Sequence, residues 1–149
     1  MKKIMLTQGR FAIIDDEDYE LINRHKWQFM KTGYAAMDSG KILMHRLIMG
    51  AGQDDEIDHI NRNRLDNRRG NLRFCTHAQN MQNAIIKSDN TSGYKGVSFD
   101  KARKKWEAYI NINGNKKHIG RFTTSKEAAQ AYDCEACKLF GEYARLNNA

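Results

Sequence analysis

Three polar side chains near the middle of the chain have the types needed to hydrolyse a phosphodiester bond. Asp58 and His59 are adjacent, and Asn80 follows later in the chain. A carboxylate and an amide carbonyl are hard oxygen ligands that suit Mg²⁺, and such an ion stabilises a leaving oxygen. A histidine is neutral in a useful fraction of molecules near pH 7, so it can take a proton from water. These residue types predict that Asp58 and Asn80 bind one Mg²⁺ or Mn²⁺ ion and that His59 is the general base.

A strand–loop–strand segment is predicted to carry the first two of these residues. Glu56–Ile60 has the composition of a strand end, Leu72–Cys75 that of a second strand, and the loop between them is rich in Asn and Arg. Asn71, at the end of the loop, could tie the loop to the strand through hydrogen bonds to the backbone. The segment therefore predicts a β-hairpin with Asp58 and His59 on its first strand.

A helix start signal follows the hairpin. Thr76 and Gln79 have the spacing of a capping box, in which each side chain bonds the backbone of the other residue. The predicted helix runs through Ile85. Asn80 would lie near its first turn and face the strand, which would bring its side chain to the adjacent Asp and His of the hairpin.

The loop of the hairpin also carries several cations. Arg62, Arg64 and Arg68 are suited to contact phosphate groups of a nucleic acid. The alternative is a solvated loop without a ligand. Because these arginines accompany the three candidate catalytic residues in the sequence, we favour the interpretation that some of them contact phosphate.

Composition supports a polyanionic partner. The 149 residues carry a formal charge of +7 and the pI is about 9.4, although many basic proteins bind no nucleic acid. Residues 87–149 contain 12 Lys and Arg against 7 Asp and Glu, whereas residues 1–86 contain 13 against 11. The net charge of the second part is therefore +5 and that of the first part +2, so the C-terminal part is the more basic one.

The cysteines and the apolar segments indicate in which cellular compartment the protein works. The three cysteines are Cys75, Cys134 and Cys137, and this odd number without a signal peptide predicts free thiols in a reducing compartment. The Cys134-x-x-Cys137 spacing leaves a metal site open as an alternative, but the sequence has no second pair. No apolar run is long enough to span a membrane.

The first 48 residues are predicted to form short strands. Phe11–Ile14 is apolar and β-prone, and the acidic stretch 15–27 could form a short helix. Gly33–Met37 and Ile42–His45 are predicted strands that flank a turn at Asp38–Gly40. This part would be a β-rich extension beside the hairpin.

A polar linker at 87–91 precedes a different pattern. The predicted strands are Tyr94–Phe99, Trp106–Asn113 and Lys116–Phe122, with a turn at Gly114 and Asn115. Thr124 and Glu127 then form a capping box, and the helix that they begin ends at Gly141. Trp106, Ala108 and Ile110 alternate on one strand face and should meet that helix. The pattern predicts an α+β chain whose C-terminal part is a three-stranded antiparallel sheet packed on one α-helix.

The hairpin segment resembles a known family. DHINRNRLDNRRGNLR at residues 58–73, followed by THAQN at 76–80, is similar to the HNH endonucleases, whose fold is the ββα-metal or His-Me finger. The similarity is greatest to the phage and intron-associated homing branch, which also has a His-Arg-Leu ahead of the finger, here His45-Arg46-Leu47. The resemblance covers roughly residues 42–83.

The resemblance implies roles for individual residues. It implies metal binding by Asp58 and Asn80, a general base in His59, a loop-fixing role for Asn71, and hydrogen bonding or phosphate contact by His45 and Arg46. The family often has Gly where this chain has Arg62 and a second Asn where it has Asp66. Both departures lie in the loop, so they bear on DNA contacts more than on catalysis.

The C-terminal segment, residues 92–147, resembles the APETALA-type, ethylene-response-factor DNA-binding domain. The matching pieces are Tyr94-Lys95-Gly96-Val97, Lys105-Trp106, Ile119-Gly120-x-Phe122, Glu127-Ala128-Ala129 and Ala131-Tyr132-Asp133. In that family the sheet, rather than the helix, lies in the DNA major groove.

The resemblance implies a set of DNA-facing residues. They are Lys95, Ser98, Lys105, Tyr109, Asn111, Lys116, His118 and Arg121. The plant domains have arginines and a tryptophan at several of these positions, where this chain has Ser98, Asn111 and His118, so the plant recognition site does not transfer. The alternative is that these are ordinary exposed strand residues.

Together the segments predict a homing-type DNA endonuclease of a phage or mobile element. A nuclease domain with its N-terminal extension would span 1–86, and a DNA-binding domain 92–149 would position the cut on double-stranded DNA. The expected location is the cytoplasm, that of the bacterial host if a phage encodes the protein. No membrane or protein partner is evident. The main alternative is a non-catalytic transcriptional regulator with an inactive finger, and a weaker one is an RNA-processing protein.

Overall fold

The computed structural model describes residues 1–83, 86 and 90–148. The chain divides into two compact units, Met1–Asn80 and Met81–Ala149. Both contain antiparallel strands and helices, which confirms the α+β class. Residues 87–89 of the predicted linker, and Ile85 at the end of the predicted helix, lie outside the described residues.

The N-terminal unit begins with a two-stranded sheet. Strand β1 (Lys2–Met5) pairs antiparallel with β2 (Phe11–Ile14), and β2 is the predicted apolar strand. The acidic stretch after it forms a 3₁₀ turn at Asp16–Asp18 and the short helix α1 (Tyr19–Ile22), as the sequence predicts.

A second small sheet contains β3 (Gln28–Phe29), β4 (Ala35–Met37) and β5 (Ile42–Leu43), in that order. The predicted strand through His45 is wrong, because the chain enters helix α2 (Met44–Met49) directly after β5. Met44 and Ile48 are one helical turn apart and both are buried. A strand would also place these two side chains on one face, so their spacing does not distinguish a strand from a helix. Gly50, with a φ of 61°, ends the helix.

The predicted hairpin follows. Strand β6 (Glu56–His59) pairs antiparallel with β7 (Leu72–Cys75), and α3 (His77–Asn83) comes next. The Thr76 backbone N–H donates to Gln79 Oε1 at 2.8 Å, and the Gln79 N–H donates to Thr76 Oγ1 at 3.3 Å, so the capping box is present. Residues of β1, β2, α1, α2, β6 and β7 share one apolar core.

The C-terminal unit is a three-stranded antiparallel sheet with one helix. Its strands are β8 (Val97–Asp100), β9 (Lys105–Ile112) and β10 (Asn115–Phe122), with β9 in the centre, and its helix is α4 (Ser125–Phe140). Ala108 and Ile110 of β9 are buried and lie in apolar clusters with residues of α4, as the alternation predicts. Both halves of the Thr124–Glu127 capping box are present, and Gly141 caps the other end.

Two local predictions in this unit are wrong. Strand β8 starts at Val97 rather than Tyr94, because Gly96 turns the chain with a φ of +74°. The hairpin turn between β9 and β10 consists of Asn113 and Gly114, with φ values of 51° and 85°, rather than the Gly114–Asn115 pair. Positive φ at both positions is typical of a type I′ turn, which Asn-Gly favours. No helix within the described residues is long and apolar enough to cross a bilayer.

Candidate functional site

Asp58 is held by an arginine of the neighbouring strand. Asp58 in β6 and Arg73 in β7 are direct cross-strand partners. Arg73 Nη2 lies 2.8 Å and its Nε 3.1 Å from Asp58 Oδ2. The Asp58 side chain is 8% exposed and that of Arg73 is 11% exposed, so the carboxylate is kept in a fixed position by a largely buried cation.

His59, the last residue of β6, is held by the hairpin loop. Its Nε2 lies 3.2 Å from Oδ1 of Asn67, and the residue is 4% exposed. Burial lowers the pKa of His59, and this effect exceeds the opposing effect of the Asn67 hydrogen bond. The imidazole is therefore predominantly neutral at pH 7, which is the protonation state that a general base needs.

Asn80 is brought to β6 through Glu56. Asn80 Nδ2 donates to Glu56 Oε2 at 2.8 Å, and His77 Nδ1 lies 2.7 Å from Oε1 of the same carboxylate. The Asn80 hydrogen bond, followed by that of His77, lowers the pKa of Glu56. Because its nitrogen is engaged, the carbonyl oxygen of Asn80 is the end that remains for a ligand. Glu56 precedes Asp58 by two residues, and residues two apart on a strand share a face, so this spacing is the sequence signal that places Glu56 at the site.

Asn71 makes two hydrogen bonds to the loop backbone. Its Oδ1 accepts from the backbone N–H of Asn61 at 2.9 Å, and its Nδ2 donates to the carbonyl of Asp66 at 2.7 Å. It thus connects both ends of the loop segment 61–66, and Asn67, which contacts His59, follows this segment directly.

His45 and Arg46, both in α2, make contacts within the N-terminal unit. His45 is 5% exposed and lies 4.9 Å from the His59 ring and 5.1 Å from the Tyr34 ring, measured between centroids. Burial, then the His59 and Arg46 charges, lower the pKa of His45 to about 3. Arg46 Nη1 donates to the carbonyl of Asp55 at 2.6 Å. Arg46 thus makes hydrogen bonds within the unit, His45 packs against two rings, and phosphate contact by either residue stays a prediction.

Two of the three loop arginines that we expected at phosphate groups bond within the unit. Arg68 pairs with Asp66 through Nε and Nη2, both at 2.7 Å. Arg64 lies 4.6 Å from the centroid of the Tyr34 ring and donates to the carbonyl of Thr32. The third, Arg62, has a φ of 64° in this loop.

The solvent-facing side of the C-terminal sheet carries most of the expected DNA-facing residues. On this face lie Ser98, Lys105, Tyr109, Asn111, Lys116, His118 and Arg121, as the register of β8, β9 and β10 requires. Lys95 lies outside the strands, where its Nζ donates to the carbonyl of Gln82. Lys116 Nζ lies 3.7 Å from the centroid of the Tyr109 ring. Glu107, which is not among the residues that the resemblance implies to face DNA, lies in the middle of this face.

The donors at the hairpin suit a divalent ion bound by oxygen. Asp58 offers a carboxylate and Asn80 an amide oxygen whose partner nitrogen is already bonded to Glu56. Within the described residues there is no group of three or more His, Cys, Asp or Glu that could hold a metal. An ion here would therefore depend on the amide, and on water or phosphate oxygens, to complete its shell.

Two family models match the chain. The HNH endonuclease model matches residues 53–82, and the AP2 domain model matches residues 92–142. The first match contains β6, β7 and most of α3, and the second contains the C-terminal sheet and α4. Each model thus coincides with one of the two constellations described above.

Individual proteins match as well. A protein of Acanthamoeba polyphaga mimivirus, named an uncharacterized HNH endonuclease, is 33% identical in an alignment of 147 residues that covers 94% of this chain and 76% of that protein. Protein 3.8 of Escherichia phage T7 is 32% identical over 90 residues, 60% of this chain and 74% of its own. The APETALA2-like protein 2 of Oryza sativa subsp. indica is 39% identical over 57 residues, 38% of this chain and 13% of its own.

No solved structure matches the chain. The similarity to the mimivirus protein extends over nearly the whole sequence and includes both units. The chain therefore belongs to the HNH endonuclease family and carries an AP2 domain in its C-terminal half.

Proposed function

We propose that the protein is a metal-dependent DNA endonuclease whose C-terminal unit positions the cut. The observation that carries this proposal is the set of fixed catalytic candidates on one hairpin: a buried, neutral His59 held by Asn67, next to an Asp58 held by Arg73. The neutral imidazole has the protonation state of a general base, and the adjacent carboxylate is a type of ligand that suits Mg²⁺.

His59 would act on the attacking water. The contact between Nε2 and Asn67 Oδ1 would hold the imidazole ring in place, and its neutral form has the protonation state of a base. The imidazole of His59 would take a proton from water as that water attacks phosphorus, and the bond from phosphorus to the 3′ oxygen would break. Asn71 would keep this base in place indirectly, because its two hydrogen bonds hold the loop that carries Asn67.

Asp58 and Asn80 would hold one Mg²⁺ or Mn²⁺ ion. When bound, the ion supplies positive charge that stabilises the leaving oxygen and orients the phosphate. Glu56 would turn the Asn80 amide so that its oxygen faces the ion, and Arg73 would keep Asp58 in the orientation that binding requires. One such centre per chain makes a nick the simplest product.

The substrate would be double-stranded DNA. The segment of residues 87–149 has a net charge of +5, and its sheet presents lysines, an arginine and polar side chains on one face. Phosphate contacts from such cations make binding sensitive to salt. With relatives in a phage and a large virus, a homing-type enzyme of a phage or mobile element, working in the cytoplasm of the host cell, fits this arrangement.

A plasmid-relaxation assay tests the proposal. We expect the wild-type protein to convert supercoiled DNA to open circles with Mg²⁺ but not with EDTA, and His59→Ala to lose cleavage while retaining duplex binding. His25→Ala, which replaces an exposed histidine of the same unit, is the matched control and should cut normally. Cleavage by His59→Ala would contradict the assignment of the base. Salt-sensitive binding without cleavage of plasmids that carry phage or host DNA would favour the regulator instead.

A further inference from the structure

An acidic residue occupies the centre of the face that is proposed to meet DNA. Glu107 lies on β9, the central strand, and its cross-strand neighbours on the same face are Ser98 of β8 and Arg121 of β10. Although the face is open to solvent, Glu107 is only 8% exposed. A carboxylate here would repel phosphate, so its presence requires another reason than affinity.

Three of the proposed DNA-facing side chains converge on this carboxylate. Arg121 Nε donates to Glu107 Oε1 at 2.7 Å, and the Tyr109 hydroxyl donates to Oε2. His118 Nε2 lies 3.8 Å from Oε1. Glu107 is therefore the common anchor of these side chains.

The bond to Glu107 restricts what Arg121 can do. A guanidinium has five N–H donors in one plane, and the contact uses the one on Nε. No other contact of Arg121 is found among the described residues, and its side chain is 46% exposed. The two Nη groups thus remain as a pair of parallel donors in a fixed plane. An arginine without such an anchor can turn to any nearby phosphate.

Paired donors in a fixed plane match one base edge in the major groove. Guanine offers O6 and N7 as adjacent acceptors, and bidentate contact with arginine is the commonest specific contact there. Lysine, a point charge on a flexible stem, does not reproduce the planar fork.

We infer that Glu107 and Arg121 form a guanine-reading pair, in which Glu107 orients Arg121 towards the O6 and N7 atoms of one guanine and keeps it from the phosphates. This inference rests on the proposed placement of the C-terminal sheet in the major groove. Glu107 is a positioning residue in this pair, and Arg121 makes the contact.

Selection from a library of random duplexes, with full-length protein and EDTA to prevent cleavage, tests the pair. We expect wild-type selections to share a guanine at one position, and Glu107→Gln and Arg121→Lys to lose that preference. Glu107→Gln should also bind random duplexes more tightly and with a steeper salt dependence, by about one unit of slope, because it frees one cation. Glu135→Gln removes the same charge from the Lys117–Glu135 pair on the helix side of the sheet, and should keep the guanine.

A selected duplex with 7-deazaguanine at the shared position removes only the N7 acceptor. Wild-type affinity should fall roughly tenfold, and Glu107→Gln affinity should change little. If Glu107→Gln does not fold, Arg121→Lys and the 7-deazaguanine duplex decide the question.

The possible results separate the inference from the function on which it rests. A selection without a shared guanine, or a guanine that Glu107→Gln and Arg121→Lys both retain, overturns the inference while leaving DNA binding intact. Wild-type protein that binds no duplex overturns both the proposed function and the pair.

Discussion

At the scale of single residues, each proposed catalytic side chain is held by a polar neighbour. The pairs are Asp58 with Arg73, His59 with Asn67, and Asn80 with Glu56. These partners restrict the orientation of each proposed catalytic side chain. Burial also lowers the pKa of the two neighbouring histidines, His45 and His59, and so keeps both rings uncharged near neutral pH.

Arg73→Gln tests the role of the cation beside Asp58. Removing one partner of a largely buried ion pair leaves an uncompensated charge, so we expect a loss of about 3 kcal/mol of unfolding free energy without Mg²⁺. Mg²⁺ should restore part of this loss, because it supplies positive charge to the same carboxylate. Thermal unfolding with and without Mg²⁺ measures the effect. The double variant Asp58→Asn/Arg73→Gln is the control and should not respond to Mg²⁺. An Arg73→Gln variant that gains no stability from Mg²⁺ would contradict metal binding at Asp58.

His45 should make the N-terminal unit sensitive to acid. Its pKa in the folded protein is about 3, below the value of 6.5 expected when unfolded, so between these values the unfolded chain binds the additional proton. Stability from this source is complete above pH 6.5 and is lost as the pH falls. Between pH 7 and pH 5 the loss should be about 2 kcal/mol.

Urea unfolding at the two pH values, followed through the NMR signal of the Trp27 indole N–H, measures this loss in the N-terminal unit. That group donates to the carbonyl of Ile22 within the buried core. In His45→Gln the difference between pH 7 and pH 5 should shrink by about the same 2 kcal/mol. An unchanged difference would show that His45 takes up its proton in the folded state.

At the scale of elements, turns and caps set the limits of each strand and helix. The capping boxes begin α3 and α4 where the sequence predicts, since a local hydrogen-bond pattern needs no tertiary context. Strand β8, by contrast, begins three residues later than the sequence predicts, because the chain turns at Gly96, where it packs closely against Tyr132 and the backbone of Tyr109. A Cβ at this position would lie 2.2 Å from Cδ2 of Tyr132 and 2.4 Å from the carbonyl oxygen of Tyr109.

Gly96→Ala should therefore destabilise the C-terminal unit by about 3 kcal/mol or more, since it combines a left-handed φ with a steric clash against backbone. Gly93→Ala is a matched control, because Gly93 has the same φ of +74° but nothing within 4 Å of its would-be Cβ. Its cost should be about 1–2 kcal/mol. Urea unfolding followed by the NMR signal of the Trp106 indole compares the two. Equal losses would mean that backbone strain, rather than close packing, sets the requirement for glycine.

At the scale of the whole molecule, two compact units divide the chain and two families match them separately. The catalytic candidates all lie in or next to the hairpin of the first unit, and the sheet proposed to contact DNA lies in the second. In the proposed function, cutting and positioning therefore belong to different parts of the chain.

Deleting residues 92–149 should abolish the choice of cleavage site on DNA but leave the cleavage reaction itself. We expect Mg²⁺-dependent nicking to persist at a lower rate, with cuts distributed over many sites, because the basic sheet no longer holds the protein at one sequence. Mapping the nicks on a plasmid by primer extension compares the shortened and full-length proteins. The same deletion with His59→Ala controls for contaminating nuclease. A cut pattern identical to that of the full chain would exclude a positioning role for the sheet.

The sequence by itself determined what depends on local order: the α+β class, the hairpin and its helix, the three-stranded sheet with α4, and both family resemblances. These follow from alternation, capping residues and spaced motifs, which act over a few residues. It misplaced His45 in a strand, because Met44 and Ile48 would be buried on one face in either conformation.

Only the tertiary structure decided which polar groups meet. Glu56, Asn67 and Arg73 reach the catalytic candidates across a hairpin or from a loop, and Glu107 gathers side chains from two strands. Such contacts depend on strand register and loop path, which no local pattern encodes. Folding also provides Arg64 and Arg68 of the hairpin loop with partners inside the unit, which the sequence did not indicate, and their contact with phosphate stays a prediction.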